Sequence, residues 1–356
     1  MWAPVILVSA TAVALSPYSY AHEGVSSYRV FEIHNPNHVV ETAVPNAMNA
    51  AGSVTGEAFA AGVPIPFLGS HGRLSNIESD GVIEPNQGLD INDRGEVVGI
   101  GILLNATRLS SVRGFLWAHG KLTDIGDLPG GIDWSIAYGI NNRGEVVGAS
   151  EATDGREAVL WTHGHLMSLG DLPGGATFAH AFAINDWTVV VGQGQSDTGN
   201  QAFIWREGVM SALPVPAGTT ISAAVAINNH NVAVGYAQAT DTTGVAVTWK
   251  NGKLEVLPYL SPEFHWASAA AINNRGDVVG TSNLLAPVKS FATLWHRGAA
   301  YNLNDLIAAE DPLKTCVDLR FGQAINDRGQ IPVGGANLCE NDDVVAFILS
   351  PVRQRE

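Results

Sequence analysis

Charge is scarce in this chain. Only 15% of its 356 residues are Asp, Glu, Lys or Arg, against roughly a quarter in an ordinary globular domain. The charge present leans acidic, with 34 acidic and 19 basic side chains and a net of -15. No Lys/Arg cluster offsets it, so the surface repels phosphate backbones and anionic lipid, and nucleic acid is not expected as a partner. Long apolar runs are missing too. The uncharged apolar run at residues 3–15, which has no second of its length, falls short of the ~20 residues a membrane helix needs, so the mature chain should contain no membrane span. Gly-x-Ser-x-Gly, His-Glu-x-x-His and Walker-type segments are absent, so no catalytic residue is assigned on motif grounds and no cofactor is implied. Cysteine is reduced to two residues, Cys316 and Cys339.

The short apolar run has its own reading. Residues 3–15 are followed by Ser19-Tyr20-Ala21, with small residues where a signal peptidase would inspect them, so residues 1–21 read as a secretory signal. The mature chain, 22–356, is then expected to be a single domain, secreted or periplasmic, and a monomer.

What the chain has in abundance is repetition. An apolar residue, Asn, a short turn and Val-Val-Gly or a close variant recur at Met48-Asn49, Ile91-Asn92, Ile140-Asn141, Ile184-Asn185, Ile227-Asn228, Ile272-Asn273 and Ile325-Asn326. Successive Asn residues are 43, 49, 44, 43, 45 and 53 apart. A period in the forties built from short β-type runs indicates a propeller with four strands per blade.

One copy shows how a blade is made. Trp134, Ile136, Tyr138 and Ile140 alternate with Ser135, Ala137 and Gly139, and large-small alternation suits a first strand buried on both faces, its large side packed on a neighbouring blade. Asn141-Asn142-Arg143-Gly144 is a turn, Glu145 to Gly148 a second strand, and Ser150 to Gly155 a polar loop. Ala158 to Trp161 and His165 to Leu169 complete the four. The last copy ends without a fourth strand, and an orphan strand, Tyr28 to Ile33, precedes the first. Together they make one blade, so the prediction is an all-β, seven-bladed propeller of four-stranded antiparallel blades, the last closed by N- and C-terminal strands.

The phrases Asp127-Leu128-Pro129-Gly130-Gly131, Asp171-Leu172-Pro173-Gly174-Gly175, Leu303-Asn304-Asp305-Leu306-Ile307 and Ile325-Asn326-Asp327-Arg328-Gly329 resemble those of the HAF family of extracellular repeat proteins. The resemblance covers residues 28 to 351 and implies export and a propeller-like fold, without a defined reaction. The naming tripeptide is largely missing from its expected strand. His180-Ala181-Phe182 occurs in a first strand instead and reads as a coincidence.

Several features bear on chemistry. Cys316 and Cys339 are equidistant from the centre of the Asn326–Gly329 turn, which would place them opposite each other across a hairpin and predicts a disulfide. His71, His119 and His163 precede Gly in consecutive copies, but as outer turns they are too far apart to share an ion, and no metal is predicted. Asp-Gly loops such as Asp154-Gly155 and Asp197-Thr198-Gly199 are explained as turns.

The best candidates lie six residues before the repeated apolar position: Thr42, Pro85, Trp134, Phe178, Ile221, Trp266 and Leu319. In a propeller this ring sits near one mouth of the channel. Trp134, Trp266 and Phe178, with Asp133, Glu263, His265 and Tyr259, would offer aromatic platforms and hydrogen-bonding groups to a glycan or peptide, or would plug the interblade core. The leading expectation is a non-enzymatic exported propeller that binds a ligand or protein partner at that mouth. A polysaccharide hydrolase or lyase using channel acids, and a structural envelope or matrix module, are the alternatives.

Overall fold

The computed structural model describes residues 25–33, 42–60, 62–70, 73–104, 111–240, 243–340 and 342–352. The secretory-signal reading of residues 1–21 and the turn residue His71 lie outside them. The described residues form strands and turns and no helix.

The strand β1 (Tyr28–Glu32) stands apart from those that follow it. A first sheet comprises β2 (Thr42–Met48), β3 (Val54–Ala60), β4 (Val63–Ser70) and β5 (Arg73–Asn76), and a second β6 (Ile83–Ile91), β7 (Val97–Leu103), β8 (Val112–Ala118) and β9 (Lys121–Asp124). Then come β10 (Gly130–Ile140), β11 (Val146–Ala152), β12 (Gly155–Thr162), β13 (His165–Gly170), β14 (Gly174–Ile184), β15 (Val190–Ser196), β16 (Gly199–Arg206) and β17 (Val209–Ala212). They continue into β18 (Ile221–Ile227), β19 (Val232–Thr240), β20 (Thr243–Lys250), β21 (Lys253–Val256), β22 (Trp266–Ile272), β23 (Val278–Leu285), β24 (Val288–His296) and β25 (Ala299–Asn302). These sixteen strands count as one sheet. Its antiparallel four-stranded groups are joined only by single parallel residue pairs: Arg156 with Phe178, Asn200 with Ile221, and Gly244 with Trp266. Finally β26 (Val317–Gly322), β27 (Ile331–Asn337) and β28 (Asp342–Pro351) form a four-stranded sheet with β1, which pairs antiparallel to β28 from Tyr28–Pro351 to Glu32–Phe347.

The strands are longer than the sequence pattern indicates. Ser150 to Gly155, expected as a polar loop, is largely strand: β11 and β12 pair down to Ala152–Gly155 around a two-residue turn. A residue that alternates weakly in hydropathy can still complete a ladder when its backbone partners are in place.

The first strands, expected to be buried on both faces, are fully buried on the small-residue face alone. Ser135, Ala137, Ala179 and Ala181 are fully buried, while Trp134, Tyr138, Phe178, His180 and Phe182 keep partial exposure. The small side chains let the sheet behind approach closely, and the aromatics touch one another instead. A bulge at Tyr138 and another at Phe182 interrupt the β10–β11 and β14–β15 ladders, which re-aims those side chains. The bulge also explains the Gly of Val-Val-Gly. A Cβ on Gly148 or Gly192 would collide with the carbonyl oxygen of Ile136 or His180 on the partner strand.

The core is built by third strands. Phe67, Phe115, Phe203 and Phe347 are completely buried, as are Trp249 and Trp295. Those two indoles donate Nε1–H to the carbonyls of Pro214 (2.7 Å) and Pro258 (2.8 Å) on the connection after the fourth strand, so their polar atom is satisfied inside the core. The cysteines form the predicted disulfide, with Cα atoms 5.1 Å apart. Beside it the insertion after Ile307 holds β1: Asp311 accepts the Val30 N–H at 2.9 Å.

Candidate ligand-binding site

The inner strands of the groups have two ends of different character. At one end lie the repeated Asn residues. Six of the seven Asn Oδ1 atoms accept two backbone N–H groups of their own turn, as Asn185 does from Trp187 (3.0 Å) and Val189 (3.0 Å), and Asn49 accepts one, from Ser53 at 2.9 Å. Each Nδ2 then donates to the carbonyl of the next copy's Asn. Asn49 donates to Asn92 (3.1 Å), Asn92 to Asn141 (3.1 Å), Asn141 to Asn185 (3.0 Å) and Asn185 to Asn228 (3.0 Å). Asn228 donates to Asn273 (3.0 Å), Asn273 to Asn326 (3.1 Å), and Asn326 back to Asn49 (3.2 Å). The sequence supplied the turn function of Asn but not this cycle, for which an acceptor and a donor on one side chain are both required.

A second tier surrounds the first. Asp93, Asn142, Asp186, Asn229, Asn274 and Asp327 each accept the backbone N–H of the corresponding residue one copy earlier, at 2.7–2.9 Å. Their amides bridge their carboxylates: Asn142 donates to Asp93 (2.9 Å) and Asp186 (3.2 Å), and Asn229 to Asp186 (2.8 Å). Ala50 occupies the seventh position and has no oxygen to offer. Both tiers line a shallow depression of about 190 Å³. Its polar groups are committed to one another.

The opposite end of the inner strands lies some seven residues away, ~20 Å along an extended chain. Here β10 and β14 bring two predicted site residues together. The Arg156 guanidinium lies 3.9 Å from the centre of the Trp134 ring and 5.8 Å from that of Phe178. His180 sits among the aromatics, 4.9 Å from Phe178, 5.7 Å from Tyr138, 5.9 Å from Phe182 and 6.5 Å from Trp134 by ring centres. Its Nε2 faces Arg156 Nη1 at 3.3 Å and its Nδ1 faces the Tyr138 hydroxyl at 3.3 Å. Because guanidinium only donates, Nε2 is the acceptor and the imidazole is neutral with its proton on Nδ1. Burial, and then the positive charge of Arg156, hold the His180 pKa down at about 4, with Glu151 opposing. Arg156 is fixed in turn by Glu151 at 2.7 and 2.9 Å.

Trp266, Tyr259, His265 and Glu263 form a separate patch, one inner strand away beyond β18. The Trp266 ring lies over Gly244, where an added Cβ would come within 2.7 Å of it, and 6.3 Å from Tyr236. The Tyr259 hydroxyl donates to the Gly244 carbonyl at 3.0 Å, and burial raises its pKa. His265 and Glu263 are exposed on the same connection, with the Glu263 carboxyl held below its usual range by a hydrogen bond from Ser261. Asp133 is exposed beside Trp134. Phe178 and Trp266 are also the residues through which neighbouring groups bridge, so each joins two sheets while keeping part of its ring accessible.

His180, Tyr138, Phe182 and Arg156 are the members that sequence reasoning missed. The signal was present in His180-Ala181-Phe182, set aside because it fell in a first strand. That strand is the one that carries the cluster.

The sequence matches no protein-family model and no curated protein. Among solved structures it is similar to the β-propeller domain of the Trilobed protease from Pyrococcus furiosus, at 11% identity over 88% of this chain and 98% of that one, with a TM-score of 0.53. It is also similar to TolB from Acinetobacter baumannii (8% identity, 93% of this chain, 65% of that one, TM-score 0.42). A third is the aldose sugar dehydrogenase from Streptomyces coelicolor (13% identity, 92% and 99%, TM-score 0.38). Identities this low speak to the fold alone, and the first of them supports a β-propeller.

Proposed function

We propose that this chain is an exported seven-bladed β-propeller that binds a glycan, without turning it over, on the aromatic patch at the loop end of its inner strands. The blade count rests on the sevenfold cycle of Asn hydrogen bonds, which returns from Asn326 to Asn49, and on the terminal strand β1 completing the sheet of β26–β28. Kinship with the HAF repeats belongs to the same reading. Export is supported by the apolar N-terminal run and by a disulfide, which persists in oxidising compartments.

The observation that carries the binding reading is the contiguous face of Trp134, Phe178, His180 and Tyr138, partly exposed and backed by Arg156. Flat rings with a neutral imidazole and a hydroxyl among them suit the apolar faces and hydroxyls of a sugar. Hydrolysis would call for an uncommitted acid and base. In this patch Glu151 is already engaged by Arg156 and both nitrogens of His180 are engaged as well, so neither can serve as partner to the exposed Asp133.

The test is calorimetric titration of the mature protein with a panel of neutral and acidic oligosaccharides. Trp134→Ala should weaken binding by about tenfold or more, equivalent to ~1.4 kcal/mol, with the melting temperature little changed. Equal affinity in Trp134→Ala and Phe178→Ala, or turnover of any bound glycan, would refute the reading.

A further inference from the structure

Positive charge gathers in one groove of this acidic molecule. Between the closing sheet and the group β22–β25 lies a cavity of about 450 Å³ lined by Tyr28, Arg275, Asp277, His296, Arg297 and Arg328. Arg275 and Arg297 come from two turns of one group, and Arg328 from the β26–β27 turn of the next sheet. Three of the chain's 19 basic side chains thus face one carboxylate.

That carboxylate is already taken. Asp277 accepts from Asn273 (3.0 Å), from Arg275 (3.2 Å) and from His296 Nδ1 (2.5 Å). Burial opposes its ionisation, but these donors and the Arg275 charge outweigh burial and keep its carboxyl below the usual range. Arg297 and Arg328 are exposed and form no ion pair among the described residues, and Arg328 donates a long hydrogen bond to the Ala51 carbonyl at 3.5 Å. His296 Nε2 is buried and likewise lacks a hydrogen-bond partner among them. The Tyr28 phenol has its pKa pushed up to about 12 by burial and by the nearby Asp277, so it is a hydroxyl donor at neutral pH.

This excess is a departure from the repeat. In two earlier copies the turn Arg has one acid of its own, Arg94 with Glu96 (2.6 Å) and Arg143 with Glu145 (2.8 Å). The place of Arg297 is held elsewhere by His119, His163, Glu207 and Asn251, all in the same left-handed turn conformation. Nothing in the fold requires arginine there. Guanidinium groups without an ion-pair partner match carboxylate and phosphate oxygens in bidentate geometry. The volume falls in the range of small-molecule sites and exceeds what a lone oxyanion fills.

We propose that this groove binds a sugar-sized organic anion, its carboxylate or phosphate held by Arg297 and Arg328 and its body set against Tyr28 and His296. The site shares no residue with the aromatic patch, so its failure leaves the glycan reading intact, and the reverse.

Calorimetric titration of the full chain with galacturonate, galactose 6-phosphate and galactose tests it. One or both acids should bind at least about tenfold more tightly than galactose, and the acid that binds identifies the head group. Raising salt from about 50 to about 500 mM should weaken that binding, as screening predicts. The double substitution Arg297→Gln/Arg328→Gln should lower affinity by about tenfold or more at unchanged melting temperature, since both side chains are exposed. Failure of both acids to bind, galactose binding equally well when the aromatic patch is removed by Trp134→Ala, or full affinity in the double variant would each overturn the proposal.

Discussion

The two ends of the inner strands are made from the same strands yet spend their polar groups differently. At the Asn end every amide of the inner tier donates to a neighbouring copy and accepts from its own turn. Seven near-identical copies produce a surface whose hydrogen-bonding capacity is closed on itself. At the loop end the copies diverge: Trp134 and Phe178 meet His180 and Arg156 in one place, Trp266 meets Tyr236 in another, and Ile221 stands between. Repetition makes scaffold, because identical units satisfy one another. Recognition is left to the positions where the copies differ, since only there do groups face outward without a built-in partner.

Breaking the inner tier should have the largest effect. Asn185→Ala removes the acceptor for the N–H groups of Trp187 and Val189 and the donor to Asn228. Two of these three bonds are buried and the one from Trp187 partly so; at ~1 kcal/mol each, a loss of about 3 kcal/mol is expected in urea denaturation. Asn142→Ala, in the exposed outer tier, should cost under about 1 kcal/mol. Equal losses at the two positions would mean that the cycle contributes no more than surface contacts do.

The two ends should also respond to acid in opposite directions. Near the Asn end, burial raises the Asp90 carboxyl to about 6, although its oxygens accept from Ile140 and Ile91. The folded state therefore holds this proton up to about pH 6, whereas an unfolded Asp releases it near ~4. Its stabilisation is full below the unfolded value and is lost as pH rises through 6. At the loop end His180 stays neutral down to about 4 while an unfolded His protonates near ~6.5. That contribution is full above the unfolded value and is lost as pH falls toward 4. Melting temperatures between about pH 7 and pH 5 should thus change little in the parent chain. His180→Gln should uncover a rise on acidification, worth on the order of 1–2 kcal/mol because Asp90 keeps some contact with solvent. Asp90→Asn should uncover a fall. If both variants track the parent across this range, the two groups are not opposed.

How much of this was legible in the sequence follows from the range of each interaction. Turns and strand pairs are local, so the Asn-turn-Val-Val-Gly phrase located the hairpins, and symmetry about the Asn326 turn located the Cys316–Cys339 bridge. The bulges at Tyr138 and Phe182 leave no mark in a period-two pattern, so the sequence left open whether the aromatic face plugs the core or is offered to a ligand. The closing bond from Asn326 to Asn49 spans 277 residues and has no local signature. Aromatic clustering between β10 and β14 depends on which side chains the bulges turn toward each other. Spacing alone gave one ring of equivalent positions, and the structure divides that ring into two patches.

The smallest predicted effect is a repair. The outer tier runs from Ala50, whose N–H donates to Asp93, through six Asn or Asp side chains to Asp327. Asp327 has one amide neighbour, Asn274, bonded to its second oxygen at 2.9 Å, and on its other side meets the methyl group of Ala50. Carboxylate and amide alternate through Asp93, Asn142, Asp186 and Asn229, so an amide at position 50 would stand between Asp327 and Asp93. In Ala50→Asn the new Oδ1 can accept the Asp327 N–H and the new Nδ2 can donate to a flanking carboxylate. Ala50 is exposed, which limits the gain to roughly 0.5–1 kcal/mol, a rise of about 1–3 °C for a chain of this size. Ala50→Asp supplies the acceptor but adds a third charge beside Asp93 and Asp327, and should give less than Asn or destabilise. A higher melting temperature for Asp than for Asn would show that the tier works through backbone acceptance alone, with no contribution from the amide-carboxylate alternation.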